Sequence, residues 1–222
     1  MWMEKMKCKK CNQICVKNGK SGSGEQRYYC TLCKKSQQSN YSYQACKPKI
    51  NYQIVSLLKE GCGIRSISRL LFISPTTVNN RIITIASNLK PPLIPKGKTY
   101  ELDEMCTYIG NKKVRKYIAY ALDKQSKQVI SFVVGTRTKK TLQHVTDTVL
   151  LSNPKQIFTD KLNIYKSLLP EEIHITKQYS INHIERNNLT LRTHLKRLNR
   201  RTICYSKSIL MLIACLKIYF WS

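Results

Sequence analysis

The chain has 222 residues, 39 of them Lys or Arg and 12 Asp or Glu, for a formal charge of +27. Like charges repel in a compact state, so this balance argues against a self-sufficient neutral domain and for a polyanionic partner, nucleic acid first and a membrane surface second. There is no run of 18 apolar residues, which excludes a spanning helix, and the start Met1-Trp-Met-Glu-Lys-Met-Lys-Cys8 has no apolar stretch of signal-peptide length. The expected compartment is the cytoplasm, where ten cysteines read as thiols or metal ligands rather than disulfides.

The charge is spread along the chain: residues 1–98 carry 18 basic and 3 acidic side chains, and residues 99–222 carry 21 and 9. Both halves are expected to touch the same polyanion. With acids so scarce, each one at a special position is informative.

Cys8-Lys-Lys-Cys11 and Cys30-Thr-Leu-Cys33 are two CxxC pairs separated by 18 residues. That spacing fits four thiolates around a structural zinc, held by two knuckles. Cys15 and Cys46 are substitute ligands at lower weight. Tyr28 and Tyr29 are expected on a strand entering the second knuckle, and Gly19, Gly22 and Gly24 mark the turn between the halves. A region this small needs the metal to fold. Residues 1–46 are therefore read as a zinc knuckle or ribbon.

Residues 47–90 carry helical apolar spacing. Ile54, Leu57 and Leu58 give one amphipathic turn, Gly61 and Gly63 break it, and Ile64, Ile67, Leu70 and Leu71 give a second helix. Ser74 is placed to cap a third helix with Pro75 in its first turn, continued by Val78, Ile82, Ile85 and Leu89. A short helix, a tight turn and a helix with polar leading residues is the helix-turn-helix pattern; a plain helical bundle is the alternative. Thr76, Thr77, Asn79, Asn80 and Arg81 are the candidate DNA contacts, suited to base edges or phosphates. Lys90-Pro-Pro-Leu-Ile-Pro-Lys-Gly-Lys98 is extended, and residues 91–98 are read as a linker holding domains apart.

From residue 99 to 222 the pattern changes to strands at 100–109, 116–123 and 128–134, then a helix through Leu142, Val145 and Val149. A strand at 155–159 ends at Asp160. A short helix over Leu162, Tyr165 and Leu168 and a strand at 174–176 follow. Three antiparallel strands followed by alternating helix and strand give a mixed α/β (α+β) domain, a sheet flanked by helices. The stretch from Ser180 to Arg201 is helical, with Ser180 as cap, Ile181, Ile184, Leu191, Leu195 and Leu198 on one side and many cations around Glu185, the last acid of the chain. The apolar tail 209–221 is too short to span a bilayer and reads as a closing core helix.

Asp103 lies mid-strand, where Asp is disfavoured; Asp160 ends a strand, where such sheets place their sites; Glu185 sits on the late helix. Three carboxylates on three elements can hold two divalent ions for phosphodiester chemistry. Their spacing alone leaves open whether they meet. Strand alternation puts Glu104 on the face opposite Asp103, so only one of the two is expected in the triad, and Asp123 is expected in a hairpin turn.

Leu-Asp103-Glu104-Met105, Thr-Asp160, the run Ile184-Glu185-Arg186-Asn187-Asn188 through Leu-Thr-Leu-Arg192-Thr-His-Leu, and Tyr205-Ser206-Lys207-Ser208 together resemble transposases of the insertion-sequence-one family. The cysteine pairs and helix-turn-helix match that family's N-terminal part, so the resemblance covers nearly the whole chain. It implies a ribonuclease-H-like catalytic domain with a five-stranded mixed sheet. It also implies an Asp103, Asp160 and Glu185 triad, with 56 and 24 residues between the acids, taking Mg2+ or Mn2+. Arg192 matches the basic residue such enzymes carry on the same helix, and seven residues place it on the Glu185 face, where it can hold a phosphate. Cys106 stands where the family typically has Trp. The implied activity is binding of transposon ends and metal-dependent strand cleavage and transfer, by a homo-oligomer on double-stranded DNA in the bacterial cytoplasm and nucleoid, with no membrane partner. A DNA-binding regulator with a silent catalytic domain and a nuclease that cuts without joining are the other readings.

Overall fold

The computed structural model describes residues 6–177 and 181–222. These divide into two compact units, one up to residue 50 and one from residue 51 on.

The first unit is a three-stranded antiparallel sheet, β1 (Val16–Lys20), β2 (Gln26–Cys30) and β3 (Lys35–Gln38), in sequence order. Tyr28 and Tyr29 lie on β2, which runs directly into the second cysteine pair. The buried cluster here is Cys8, Cys15 and Cys30, with Cys11, Cys33 and Tyr28 packed against them. An interior made of sulfur rather than aliphatic carbon buries little apolar surface, so the fold of this unit depends on its cysteines.

The second unit opens with three helices, α1 (Ile50–Lys59), α2 (Ile64–Leu71) and α3 (Pro75–Asn88). The Ser74 side chain accepts the Thr77 N–H and Pro75 occupies the first turn, as the sequence predicts for α3. Val78, Ile82 and Ala86 form its buried face. Leu70, expected on the inner face of α2, is instead 56% exposed beside Phe72. Phe72 takes a left-handed conformation that ends the helix and turns the chain.

The sheet that follows has β4 (Thr99–Ile109), β5 (Asn111–Asp123), β6 (Val129–Gly135), β7 (Gln156–Thr159) and β8 (His174–Ile175), ordered β6-β5-β4-β7-β8. The first three pair antiparallel; β7 runs parallel to β4 and β8 parallel to β7. This order and polarity are those of a ribonuclease-H-like sheet. Strand β5 starts at Asn111, five residues before its expected start, because residues 111–115 are exposed and carry no alternation, yet Asn111 and Arg115 still pair with β4.

Alternation builds two cores. Met105, Ile118, Tyr120 and Leu122 face α6 (Asn182–His194) and α7 (Ile209–Trp221). Tyr100, Leu102, Ala119 and Ala121 face α4 (Lys139–Leu150) and the short α5 (Asn163–Lys166). The apolar tail is thus α7, a covering helix. Ser180, expected to cap α6, lies outside the described residues.

The helix α3 packs along α7, so the three-helix element rests on the sheet layer within one unit and is not held away from it by residues 91–98. The turn after α1 is equally close. Gly61 has φ +78, and a Cβ there would lie 2.3 Å from the His194 carbonyl oxygen at the end of α6. Only glycine satisfies both conditions.

Candidate active site and metal centres

The four sulfurs of Cys8, Cys11, Cys30 and Cys33 all lie within 4.8 Å of one another. Tetrahedral zinc with Zn–S bonds of about 2.3 Å requires sulfurs about 3.8 Å apart, so the donor set fits that ion. Each knuckle turns its backbone onto its own sulfur: Lys10 N–H donates to Cys8 Sγ and Cys33 N–H to Cys30 Sγ, both at 3.4 Å. Backbone N–H groups of Cys11 and Lys10 lower the Cys8 thiol to about 6. The hydrogen bond with Cys11 and then burial push Cys33 up to about 12. Cys15 is buried beside the group but receives the Gln37 amide at 3.7 Å, and Cys46 is exposed.

The second cluster lies where β4 passes the end of β7. The parallel register pairs Leu102 with Thr159, so the next residues, Asp103 and Asp160, emerge side by side at the C-terminal end of β7. Oxygens of Asp103, Glu104 and Asp160 lie within 4.8 Å of one another. This corrects the expectation that Glu104 is excluded by alternation. Asp103 and Glu104 do point to opposite faces, toward α6 and α4 respectively, but β7 has ended there. No neighbouring strand separates the faces, and the carboxylates meet around the open edge.

Each acid has its own supports. Asp103 Oδ1 accepts the Glu104 N–H at 2.8 Å and Oδ2 accepts the Asn188 amide at 2.6 Å. Asn188 in turn receives the Tyr120 hydroxyl at 2.9 Å, so strand β5 holds the amide that holds Asp103. Burial, opposed by the Glu104 N–H and reinforced by the charges of Glu104 and Asp160, raises Asp103 to about 6. Glu104 is also raised, first by burial, with Tyr165 and Arg137 opposing. Arg137 donates through Nε and Nη2 to Glu104 Oε2 at 3.2 and 2.9 Å, and Nη2 is 3.7 Å from Asp160 Oδ2. Asp160 Oδ1 accepts the Leu162 N–H at 3.0 Å.

Glu185 is exposed and, among the described residues, lies outside this three-acid group. Its helix is nevertheless tied to the site. Glu185, Asn188 and Arg192 share one face of α6, Asn188 touches Asp103, and the charge of Asp103 acts on the half-buried Arg192. Burial and Arg200 lower the Arg192 guanidinium, and its Nε has no hydrogen-bond partner among the described residues. Cys106 is half-buried on β4. Asp123 is buried in the β5–β6 turn, accepting from Gln125 N–H and Ser126 Oγ, away from the cluster.

Glu101 is not among the site residues expected from the sequence. Its carboxylate is fully buried, accepts the Ile184 N–H at 2.8 Å and pairs with His183 Nδ1 at 2.7 Å and Lys124 Nζ at 3.6 Å. It caps α6 from strand β4, since Ile181 at the helix start offers no side-chain cap. An acid inside an apolar strand, two residues before Asp103 and on the same face, was the available signal.

Of the α3 candidates, Thr76 and Asn80 are exposed and Thr77, Asn79 and Arg81 half-buried; Thr77 Oγ1 also bonds Ser74. Asn79 lines a groove of about 840 Å³ with Arg65, Lys196, Arg197 and Lys207.

A ribonuclease-H-like sheet carrying paired carboxylates where its parallel strands end defines a class of nucleic-acid-cutting enzymes. Residues 98–219 match the IS1 transposase family (DDE_Tnp_IS1). The chain belongs to that family. It is 35% identical over 109 residues to the insertion element iso-IS1n protein InsB of Shigella dysenteriae, covering 49% of this chain and 83% of that protein. It is 36% identical over 112 residues to the insertion element IS1 2 protein InsB of Escherichia coli (strain K12), covering 49% of this chain and 65% of that protein. Among solved structures, a chain of the simian T-cell lymphotropic virus intasome in complex with PP2A regulatory subunit B56 gamma aligns with a TM-score of 0.38 and 18% identity. That alignment covers 73% of this chain and 66% of that one. At that TM-score the likeness carries no argument, and the fold rests on strand order. Among the described residues, no helix is long and apolar enough to cross a membrane.

Proposed function

We propose that this protein binds the ends of an insertion element and cuts and joins DNA strands at the acid cluster, with Mg2+ or Mn2+ as the catalytic ion and zinc as the structural one. The observation that carries the reading is Asp103 and Asp160 side by side at the end of β7, with α6 docked on Asp103 through Asn188. Asp103, Asp160 and Glu185 are the residues to hold the divalent ions. Bound there, such ions activate the attacking oxygen and stabilise the leaving oxygen of a phosphodiester. Arg192, on the Glu185 face of α6, pairs with a phosphate of the strand being cut. Cys8, Cys11, Cys30 and Cys33 fold the first unit around zinc. Thr76, Thr77, Asn79, Asn80 and Arg81 face the end DNA, and the charge of +27 supplies sequence-independent affinity. Work on two ends at once favours a homo-oligomer on the DNA, in the cytoplasm with the nucleoid.

Incubation of the purified protein with labelled element-end DNA and a target plasmid, with Mg2+ or with chelator, tests this. Mg2+-dependent joined products are expected, lost in Asp103→Ala, Asp160→Ala and Glu185→Ala while end binding persists. Nicks without joining would instead indicate a nuclease. The exposed position of Glu185, outside the three-acid group, favours one competitor, a DNA-binding regulator with a silent site. Tight binding with no product under any divalent ion would establish that one.

A further inference from the structure

We infer that Arg137 is an internal counter-ion of the acid cluster, and that a divalent cation must displace it from Glu104 to load. This rests on the reading of the cluster as a divalent-cation site.

Arg137 stands on the loop between β6 and α4, just before the α4 cap Thr138. Its Nε and Nη2 both converge on Glu104 Oε2, and Nη2 also approaches Asp160. The Glu104 side chain is fully buried; the partial exposure of the residue belongs to its backbone, which is open where β7 ends. The buried Tyr165 hydroxyl lies close enough to act on Glu104, but the other oxygen, Oε1, has no well-formed hydrogen bond among the described residues. A buried carboxylate oxygen so weakly satisfied is costly, so this site is built for a partner that Arg137 does not fully replace.

Charge points the same way. Three carboxylates within 4.8 Å face one guanidinium, which leaves them under-neutralised. A divalent ion brings twice the charge to the same oxygens. A guanidinium and a divalent cation cannot both sit on Glu104 Oε2 without strong repulsion across a few ångströms of low dielectric. Arg137 is able to leave. Its side chain is 38% exposed, and its guanidinium lies 5.7 Å from the Tyr117 ring, so it has a path to solvent along an aromatic face. The arginine thus holds the cluster together before loading and sets a threshold for cation entry.

The test is Mn2+ titration of the zinc-loaded full chain without DNA, following free Mn2+ by electron paramagnetic resonance. Arg137→Gln is expected to bind Mn2+ about fivefold tighter or more, and Glu104→Gln about tenfold weaker. The gain from Arg137→Gln should shrink in the Glu104→Gln background to the part carried by Asp160, because Glu104 is the closer of the two acids Arg137 faces. Arg137→Lys, which keeps the charge but loses the fork, should tighten binding by less, and it stands in if the glutamine variant fails to fold. Unchanged or weaker Mn2+ binding in folded Arg137→Gln or Arg137→Lys would overturn the inference. Mn2+ binding that Asp103→Asn abolishes but Arg137→Gln leaves unaltered removes the counter-ion alone. Absence of any Asp103-dependent Mn2+ binding in the wild type removes the metal-site reading, and this inference with it.

Discussion

The cysteine cluster draws its four sulfurs from two tight knuckles within residues 8–33, whereas the acid cluster takes neighbouring residues of one strand and a third acid 57 residues beyond Asp103. The first is closed by local backbone, the first sulfur of each knuckle receiving an N–H from its own turn. The second is closed by tertiary structure: Tyr120 holds Asn188, Asn188 holds Asp103, and Arg137 bridges Glu104 to Asp160. A locally closed site stands or falls with its ligand. A tertiary site persists without one, because hydrophobic cores on both sheet faces already fix its strands.

Chelation or Cys30→Ser sharpens that contrast most. Zinc contributes on the order of 10 kcal/mol to folding a small thiolate domain, so residues 6–38 should lose amide protection while residues 99–135 keep theirs, as hydrogen exchange will show. Protection lost in both would break the contrast. Next is Asp103→Ala, expected to cut strand transfer by roughly 10³-fold or more, about 4 kcal/mol of barrier, with the chain still folded and binding end DNA. Third is Glu101→Ala. Stripping the buried cap leaves the Ile184 N–H without its acceptor and should cost about 2–3 kcal/mol in denaturant unfolding, with α6 losing exchange protection first.

The last effect concerns pH. The folded Asp103 carboxyl sits at about 6, above the ordinary 3.8, so the folded state holds its proton more tightly than the unfolded state. Through this group stability therefore rises as pH falls from above 6 toward 4, and at pH 7 the ionised group costs about 2–3 kcal/mol. Asp103→Asn should accordingly stabilise the metal-free protein at pH 7, and the gain should shrink by pH 4. A gain that is independent of pH would locate the effect elsewhere.

The cysteine spacing was legible because a knuckle is a property of four consecutive residues. The strands of the second unit were legible because Ile118, Ala119, Tyr120 and Ala121 alternate between two cores. The strand order was not written in any one strand, and the meeting of Asp103 with Asp160 follows from that order. Glu104 was misjudged because alternation describes a strand with neighbours on both sides, and β4 loses one at Asp103. Arg137 and Asn188 carried no local mark of a site: one lies in a loop, the other among several polar residues of α6. Residues 91–98 read as a spacer on composition, yet the buried faces of α3 and α7 close the gap that the prolines suggested.

That last contact has a metrical consequence. With α3 laid along α7 and Gly61 pressed on the end of α6, the helix proposed to face the DNA and the helix beside the acids belong to one compact unit. On the proposed function, the interval between the base pairs read and the bond broken is then a dimension of the protein, as fixed as the gap of a caliper. Lengthening the proline segment would leave that interval unchanged.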